Sequence, residues 1–220
     1  MIELAADARI GVIGDVHAED ERLAEVLDFL SGCGVQGILC TGDIADGSGS
    51  VSRCCQLLAA AGVYTVRGNH DRWLLDREMR TLPDATHPDD LSRSARTYLE
   101  ALPAVLRFGT SLGTLLLCHG LGENDMARVN PDDRGYALQS NDELQALMRD
   151  PGVQLLINGH SHRPMVRHFP GLTVINAGTL HRAHQPGFVI VDLAAHCVER
   201  FGWSSQSIAT NGPPLALSEG

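Results

Sequence analysis

Short apolar segments alternate with segments of helical periodicity along the first third of the chain. Buried strands are predicted for RIGVIGD, VQGILCTGD and VYTVRGN, which are almost continuously apolar until their polar ends. Amphipathic helices are predicted for DERLAEVLDFLSG and SVSRCCQLLAAAG, each of which ends at a glycine. The order strand, helix, strand, helix, strand predicts right-handed crossovers and a parallel sheet.

The second half of the chain is richer in strands. A hairpin turning near residues 111–113 is predicted for AVLRFGTSLGTLLLCHG. Further strands are predicted for VQLLINGH, GLTVINAG and GFVIVDL, with CVERFG as a final hairpin partner. We therefore expect an α/β fold in which two packed mixed β-sheets are flanked by helices.

The same pattern predicts the domain organisation. We expect a single domain over residues 1–203, because no linker interrupts the alternation of elements. Residues 72–103 mix helical and loop character and are expected to form a cap or lid beside the site, with a plain surface excursion as the alternative. Residues 204–220 are rich in small and polar residues, which predicts a flexible tail.

Charge and composition limit the kinds of molecule that the protein is expected to bind. The formal net charge is -10 and no Lys/Arg-rich block is present, which argues against binding to duplex nucleic acid or to an anionic membrane. An anionic substrate would then need local positive charge, which bound metal ions can supply. The first residues carry acidic side chains where a signal peptide is basic, and no apolar run is long enough to span a membrane. We expect a cytoplasmic protein.

Cysteine usage agrees with that expectation. The six cysteines are scattered through apolar or helical segments and form no CxxC pair. They are interpreted as reduced core residues rather than as zinc ligands or disulfides.

Polar side chains gather where the predicted strands end. In parallel sheets, functional groups lie beyond the carboxyl ends of the strands. Asp15 and His17 lie two residues apart, as do His160 and His162. If the backbone there is extended, both members of each pair point to the same side. The residues at the strand ends are Asp15, His17, Asp43, Asn69, His70, His119, His160, His162 and Asn176.

This set of side chains suits divalent cations. Imidazole nitrogens and carboxylate oxygens without thiolates favour manganese, iron, zinc, nickel or cobalt. Seven such side chains exceed the needs of one tetrahedral site. Two adjacent ions that share a carboxylate, roughly 3.5 to 4 Å apart, would use them all and would clamp a phosphoryl group.

Five short motifs carry a resemblance to a known family. GDVH, GDIAD, GNHD, CHG and GHSH follow one another in the order and spacing of the calcineurin-like metallophosphoesterase superfamily, from Asp15 to about Thr179. The resemblance implies a four-layer α/β/β/α sandwich. It also implies a phosphate ester hydrolase with two divalent ions, for which manganese is our first expectation.

The resemblance assigns metal ligands residue by residue. It implies that Asp43 bridges two ions and that a water between them attacks phosphorus in line with the leaving oxygen. The remaining ligands fall into two groups. Asp15, His17 and His162 would hold one ion, and Asn69, His119 and His160 the other.

Further roles follow from the same resemblance. His70 would stabilise charge on the phosphoryl oxygens or protonate the leaving group, and Asp46 would orient His70. Asn176 would support the metal-binding loop. The candidates for contact with the substrate, each of which could equally be an ordinary surface residue, are Arg128, Arg134, Arg182 and His181.

Two positions at which the sequence departs from the protein Ser/Thr phosphatases indicate its branch of the superfamily. Protein Ser/Thr phosphatases carry glutamate at the position of Asp71 and arginine at that of Gly47. The sequence therefore indicates the small prokaryotic branch, with a small phosphorylated substrate such as a nucleotide. We expect a phosphodiesterase or a broad-specificity phosphoesterase. The alternatives are a phosphomonoesterase, a nucleotide or dinucleoside polyphosphate hydrolase, and a catalytically silent scaffold on the same fold.

Overall fold

The computed structural model describes residues 1–205 and 207–217. The strands are β1 (Ile2–Glu3), β2 (Arg9–Ile13), β3 (Gly37–Cys40), β4 (Tyr64–Thr65), β5 (Val105–Thr110), β6 (Gly113–Cys118), β7 (Leu155–Asn158), β8 (Met165–Phe169), β9 (Leu172–Asn176), β10 (Gly187–Asp192), β11 (Cys197–Ser204), β12 (Ser207–Thr210) and β13 (Leu215–Ala216). The helices are α1 (Asp20–Gly32), α2 (Val51–Ala60), α3 (Asn69–Asp76), α4 (Arg93–Ala101), α5 (Tyr136–Gln139) and α6 (Asp142–Arg149), with a 3₁₀ turn at Pro88–Asp90.

The helices follow from periodicity and capping. In α1 the side chains of Leu23, Val26 and Leu30 are buried, at the spacing of one helical face. Helix α2 begins where the Ser50 side chain accepts a hydrogen bond from the Arg53 amide. Within the described residues, no helix combines the length and the apolar character that a membrane span requires.

The strands form two mixed sheets. One sheet has the order β1, β5, β6, β7, β9, β8, and the strands β6, β7 and β9 are parallel. The other has the order β12, β11, β10, β2, β3, β4, and β2, β3 and β4 form the predicted parallel unit. The late strands β10 and β11 join this second sheet rather than the first, with β10 antiparallel to β2.

Alternating side chains divide the core into three apolar layers. In β6, Leu115 and Leu117 are buried between the two sheets, whereas Leu116 packs in the cluster that contains Leu144 of α6. A third cluster lies under α1 and α2 and contains Leu30. The four-layer α/β/β/α sandwich is therefore confirmed.

The expected flexible tail belongs instead to the sheet. Strands β12 and β13 both pair with β11, and the side chain of Leu217 is only 3% exposed. Small and polar residues are frequent in 204–220, but Ile208 and Leu217 pack against the core clusters while the two strands pair with the edge of β11. Gln206 and residues 218–220 of this prediction lie outside the described residues.

The expected cap over residues 72–103 is also integrated into the fold. Helix α4 packs against α2 and extends the outer helical layer. Residues 77–87 lie on the loop after β3, where the Gly47 amide donates to the Asp84 carbonyl at 2.9 Å. The segment thus supports the neighbouring loop rather than standing apart as a separate lid.

The integrated tail makes a stability prediction. Leu217→Ala should lower the free energy of unfolding by about 2 kcal/mol, because it removes a buried side chain from the core between the sheets. Denaturant titration followed by circular dichroism measures the change, and Thr210→Ala at an exposed position of β12 is the control. If the Leu217 variant loses no more free energy of unfolding than the Thr210 variant, the result contradicts the structure.

Candidate metal centre

The strand ends of both sheets meet at one edge of the sandwich. Asp15 follows β2, Asp43 follows β3 and Asn69 opens α3 just after β4. From the other sheet, His119 follows β6 and His160 lies two residues after β7. All except His160 are at most 1% exposed, so the cluster lies below the surface of the protein.

One group of donor atoms forms around Asp15. Single donor atoms of Asp15, His17, Asp43 and His162 all lie within 4.8 Å of one another. The Nε2 atom of His162 is 3.0 Å from Oδ2 of Asp15 and 3.0 Å from Nε2 of His17. Two imidazole nitrogens and a carboxylate oxygen that converge in this way are arranged as ligands of a cation.

A second group forms on the other side of Asp43. Donor atoms of Asp43, His119 and His160 lie within 4.8 Å of one another. The Asn69 Oδ1 atom is 2.8 Å from Nε2 of His119 and 2.9 Å from Nδ1 of His160. Asp43 therefore belongs to both groups.

The backbone reaches this geometry through left-handed turns, not through the extended chain that we expected. His17, Asp43, His160 and His162 have φ values of 47°, 46°, 63° and 56°. Such values are uncommon for residues other than glycine and concentrate at functional sites. The amides of Val16 and His17 both donate to the Asp43 carbonyl, at 3.0 and 2.7 Å, and hold the first turn.

Two glycines give the carboxylates room. A Cβ atom at Gly68 would overlap the Asp43 carboxylate, and one at Gly159 would overlap the Asp15 carboxylate. Larger residues would therefore displace two of the converging oxygens.

The site fits a divalent cation on its own chemistry. The Asp15 Oδ1 atom accepts from the Thr41 hydroxyl at 3.0 Å, whereas Oδ2 is buried and, although Nε2 of His162 lies 3.0 Å away, makes no hydrogen bond of good geometry within 1–205 and 207–217. A buried carboxylate oxygen without a hydrogen bond is costly, and a cation at this point would compensate it.

The opposite charges of Asp43 and His119 shift the pKa values of both groups. Burial opposes the ionisation of Asp43, but the neighbouring His119 outweighs burial and lowers the pKa of this carboxyl group. Burial likewise opposes protonation of His119, yet the Asp43 carboxylate raises the pKa of His119 to about 10. Burial lowers the pKa of His17. A bound cation would replace the imidazolium proton as the partner of Asp43.

Carbonyl groups orient two of the imidazoles. The His119 Nδ1 atom bonds to the Thr41 carbonyl at 2.8 Å, and Nδ1 of His17 bonds to the Asp46 carbonyl at 3.0 Å. Each ring thereby directs Nε2 towards the cluster, as is usual for histidine ligands of metals.

Asp71 is a structural residue that the sequence interpretation missed. Its buried carboxylate accepts from the amides of Ile44, Ala45 and Gly68 at 2.8, 2.9 and 3.0 Å. It thus ties the loop that carries Asp43 to the start of α3. The capping-box position, three residues after Gly68, was the signal that could have revealed it.

His70 stands beside the cluster. Its amide donates to Oδ1 of Asp43 at 2.8 Å, and its Nδ1 atom lies 2.7 Å from Oδ2 of Asp46. Burial disfavours the charged ring, but the hydrogen bond to Asp46 together with the negative charges of Asp43, Asp46 and Asp71 outweighs it and raises the pKa of His70. Because Nδ1 is engaged with Asp46, Nε2 is the ring atom left for other contacts.

Of the candidates for substrate contact, the structure places two near the cluster. The His181 ring is 5.3 Å from the His17 ring. Arg128 is exposed, and its charge adds to burial and to His119 in lowering the pKa of His160. A further histidine, His184, lies with its ring 4.8 Å from that of His162.

The other two candidates are engaged elsewhere. The guanidinium of Arg182 pairs with both carboxylate oxygens of Glu19, at 2.8 to 3.1 Å. Arg134 donates to the carbonyl groups of Pro131 and Asp133 in its own loop. Neither arginine is directed at the cluster by these bonds.

Asn176 takes the position expected for a support of the loop. Its amide nitrogen donates to the Gly159 carbonyl at 2.6 Å and lies 3.2 Å from the Ser161 hydroxyl. Its Oδ1 atom accepts from the Gly178 amide at 2.8 Å. These bonds hold the backbone before His160 and contact the side chain of the residue after it.

Sequence comparison identifies the family. The model of the calcineurin-like phosphoesterase superfamily domain matches residues 9–196. A curated relative, an uncharacterized protein of Methanocaldococcus jannaschii, is 35% identical over 69 residues. That alignment covers 31% of this chain and only 28% of the relative.

Solved structures share the fold. A metallophosphoesterase from Sphaerobacter thermophilus superimposes with a TM-score of 0.70 at 22% identity, covering 90% of this chain and 88% of the other. A putative diadenosine tetraphosphatase superimposes with a TM-score of 0.62 at 20% identity, covering 93% and 98% of the two chains.

The family match spans every candidate ligand, from Asp15 to His162. The chain belongs to the calcineurin-like phosphoesterase superfamily.

Proposed function

We propose that the cluster is a binuclear centre that hydrolyses small phosphate esters. The observation that carries this proposal is that Asp43 offers donor atoms to both ligand groups. Asp15, His17 and His162 would complete one ion site, and Asn69, His119 and His160 the other. When bound, the two ions would activate water and neutralise the phosphoryl oxygens.

The protein side chains then orient the ester and handle a proton. We assign to His70 the stabilisation of charge on the phosphoryl oxygens or the protonation of the leaving oxygen, through Nε2. Asp46 holds Nδ1 of that ring, and both residues lie at the edge of the cluster. His181 and Arg128 are the nearest candidates for contact with the substrate.

Local charge favours diesters. A diester carries one negative charge and needs fewer cationic side chains than a monoester. Arg182 is paired with Glu19, and Arg134 donates to carbonyl groups of its own loop. Arg72 is paired with Asp125 at 2.7 and 3.0 Å. We therefore propose a phosphodiesterase or a broad-specificity phosphoesterase.

Two alternatives concern the substrate and the class. A nucleotide or dinucleoside polyphosphate is the second candidate, since one structural neighbour bears the name of a diadenosine tetraphosphatase. A silent scaffold would have no need for His70 and Asp46 in hydrogen-bond contact beside a complete ligand set, which favours the enzyme. Manganese as the native metal and a cytoplasmic location remain predictions.

The shared carboxylate makes the first functional prediction. Asp43→Asn should lower kcat/KM by about 10²- to 10³-fold, because a neutral amide cannot compensate two cations. The protein is stripped with chelator, reloaded with manganese and assayed. Asp28→Asn, at an exposed position of α1, is the matched control and should retain full activity. Equal turnover in the Asp43 variant would refute the binuclear proposal.

The proposed diester preference is tested by paired substrates. We expect kcat/KM for bis-p-nitrophenyl phosphate to exceed that for p-nitrophenyl phosphate by about 10-fold or more, because few free cations face the site. Separate reloading with manganese, nickel, zinc and magnesium establishes which metals support turnover. A clear preference for the monoester would reverse the assignment.

A further inference from the structure

The carboxylate of Asp46 has every acceptor direction occupied. Its Oδ2 atom lies 2.7 Å from Nδ1 of His70 and accepts from NH2 of Arg80 at 3.0 Å. Its Oδ1 atom accepts from NH1 of Arg80 at 2.7 Å and from the Thr86 amide at 2.9 Å. A carboxylate with four satisfied lone-pair positions has a fixed orientation.

Arg80 is itself held on several sides. Its Nε atom donates to the Glu78 carbonyl at 2.6 Å, and NH1 also donates to the Thr86 carbonyl at 3.0 Å. Its side chain is 16% exposed and that of Asp46 is 4% exposed, so the pair is largely shielded from water. Such a bidentate, shielded pair is stronger and more directional than a surface ion pair.

The backbone locks the same contact. The Asp46 amide donates to the Thr86 hydroxyl at 3.1 Å, and the Gly47 amide donates to the Asp84 carbonyl. Asp46 has a φ of 66°, an uncommon conformation that these neighbours maintain. Residues 77–87 therefore bind the loop of Asp46 through main chain and side chain together.

We propose that Arg80 is a positioning residue that acts on the reaction through Asp46 and His70. The inference rests on the proposed function of the site. Arg80 fixes the rotamer of Asp46, and Asp46 fixes the plane of the His70 imidazole. Without Arg80, Oδ1 of Asp46 would keep only the Thr86 amide, and the carboxylate could rotate away from Nδ1 of His70.

This role predicts a specific kinetic pattern. The side-chain bonds of Arg80 go to Asp46, Glu78 and Thr86 among the described residues, and none of these supplies a donor atom to the two ligand groups. The Asp46 carbonyl that bonds to Nδ1 of His17 is held through the Asp46 and Gly47 amides, whose bonds do not involve Arg80. Metal content and KM should therefore stay unchanged while kcat falls. A small misplacement of a catalytic group costs on the order of 10- to 100-fold.

The test compares Arg80→Met, Arg80→Lys, Asp46→Asn, the double variant Asp46→Asn/Arg80→Met and Arg77→Met with the wild-type protein. Arg80→Met should lower kcat about 10- to 100-fold, and Arg80→Lys should recover part of it by restoring the charge without the bidentate geometry. Adding Arg80→Met to Asp46→Asn should cause no further loss, because Arg80 acts through that carboxylate. Arg77→Met is the control, since Arg77 lies on the same segment and, among residues 1–205 and 207–217, forms an ion pair only with exposed Asp89.

The outcomes separate this inference from the proposed function. Wild-type activity in Arg80→Met, or losses that multiply in the double variant, would overturn the role of Arg80 while the hydrolase stands. An inactive, metal-loaded wild-type protein would instead refute the proposed function. Proton NMR of the His70 Nδ1–H, assigned by its loss in His70→Asn, then decides the inference. The signal should exchange faster in Arg80→Met, and an unchanged signal would overturn it.

Discussion

The buried carboxyl group of Asp43 is the constraint on which the site depends. The main-chain carbonyl of Asp43 accepts hydrogen bonds from the amides of residues 16 and 17. In its carboxylate, Oδ1 accepts from the His70 amide at the start of α3, and Oδ2 lies 3.3 Å from Nε2 of His119. One residue thereby joins the ends of β2, β3 and β6 with α3. A buried anion in this position requires compensating positive charge, which imidazolium protons or metal ions can supply.

The two sheets make that convergence possible. Each contributes ligands from loops at the carboxyl ends of its parallel strands, and the apolar layer between the sheets holds those ends together. Left-handed backbone at His17, Asp43, His160 and His162 stores local strain, and the surrounding hydrogen bonds maintain it. The ligand side chains are therefore oriented before a cation binds, because folding rather than binding fixes their positions.

The sequence predicted the parts of the protein that depend on local pattern. The parallel unit of β2, β3 and β4 follows from periodicity, and the ligand positions follow from five motifs at strand ends. The roles of Asp71 and Arg80 depend on contacts across 27 and 34 residues, which no local pattern encodes. The final strands were mistaken for a tail because their polar composition conceals pairing with β11.

We propose that two ions share the carboxylate of Asp43, and a crystal of the manganese-loaded protein, measured on both sides of the manganese absorption edge, is the test. We expect two anomalous peaks about 3.5 to 4 Å apart, both in contact with the Asp43 carboxylate. A single peak, or a second peak remote from Asp43, would contradict it.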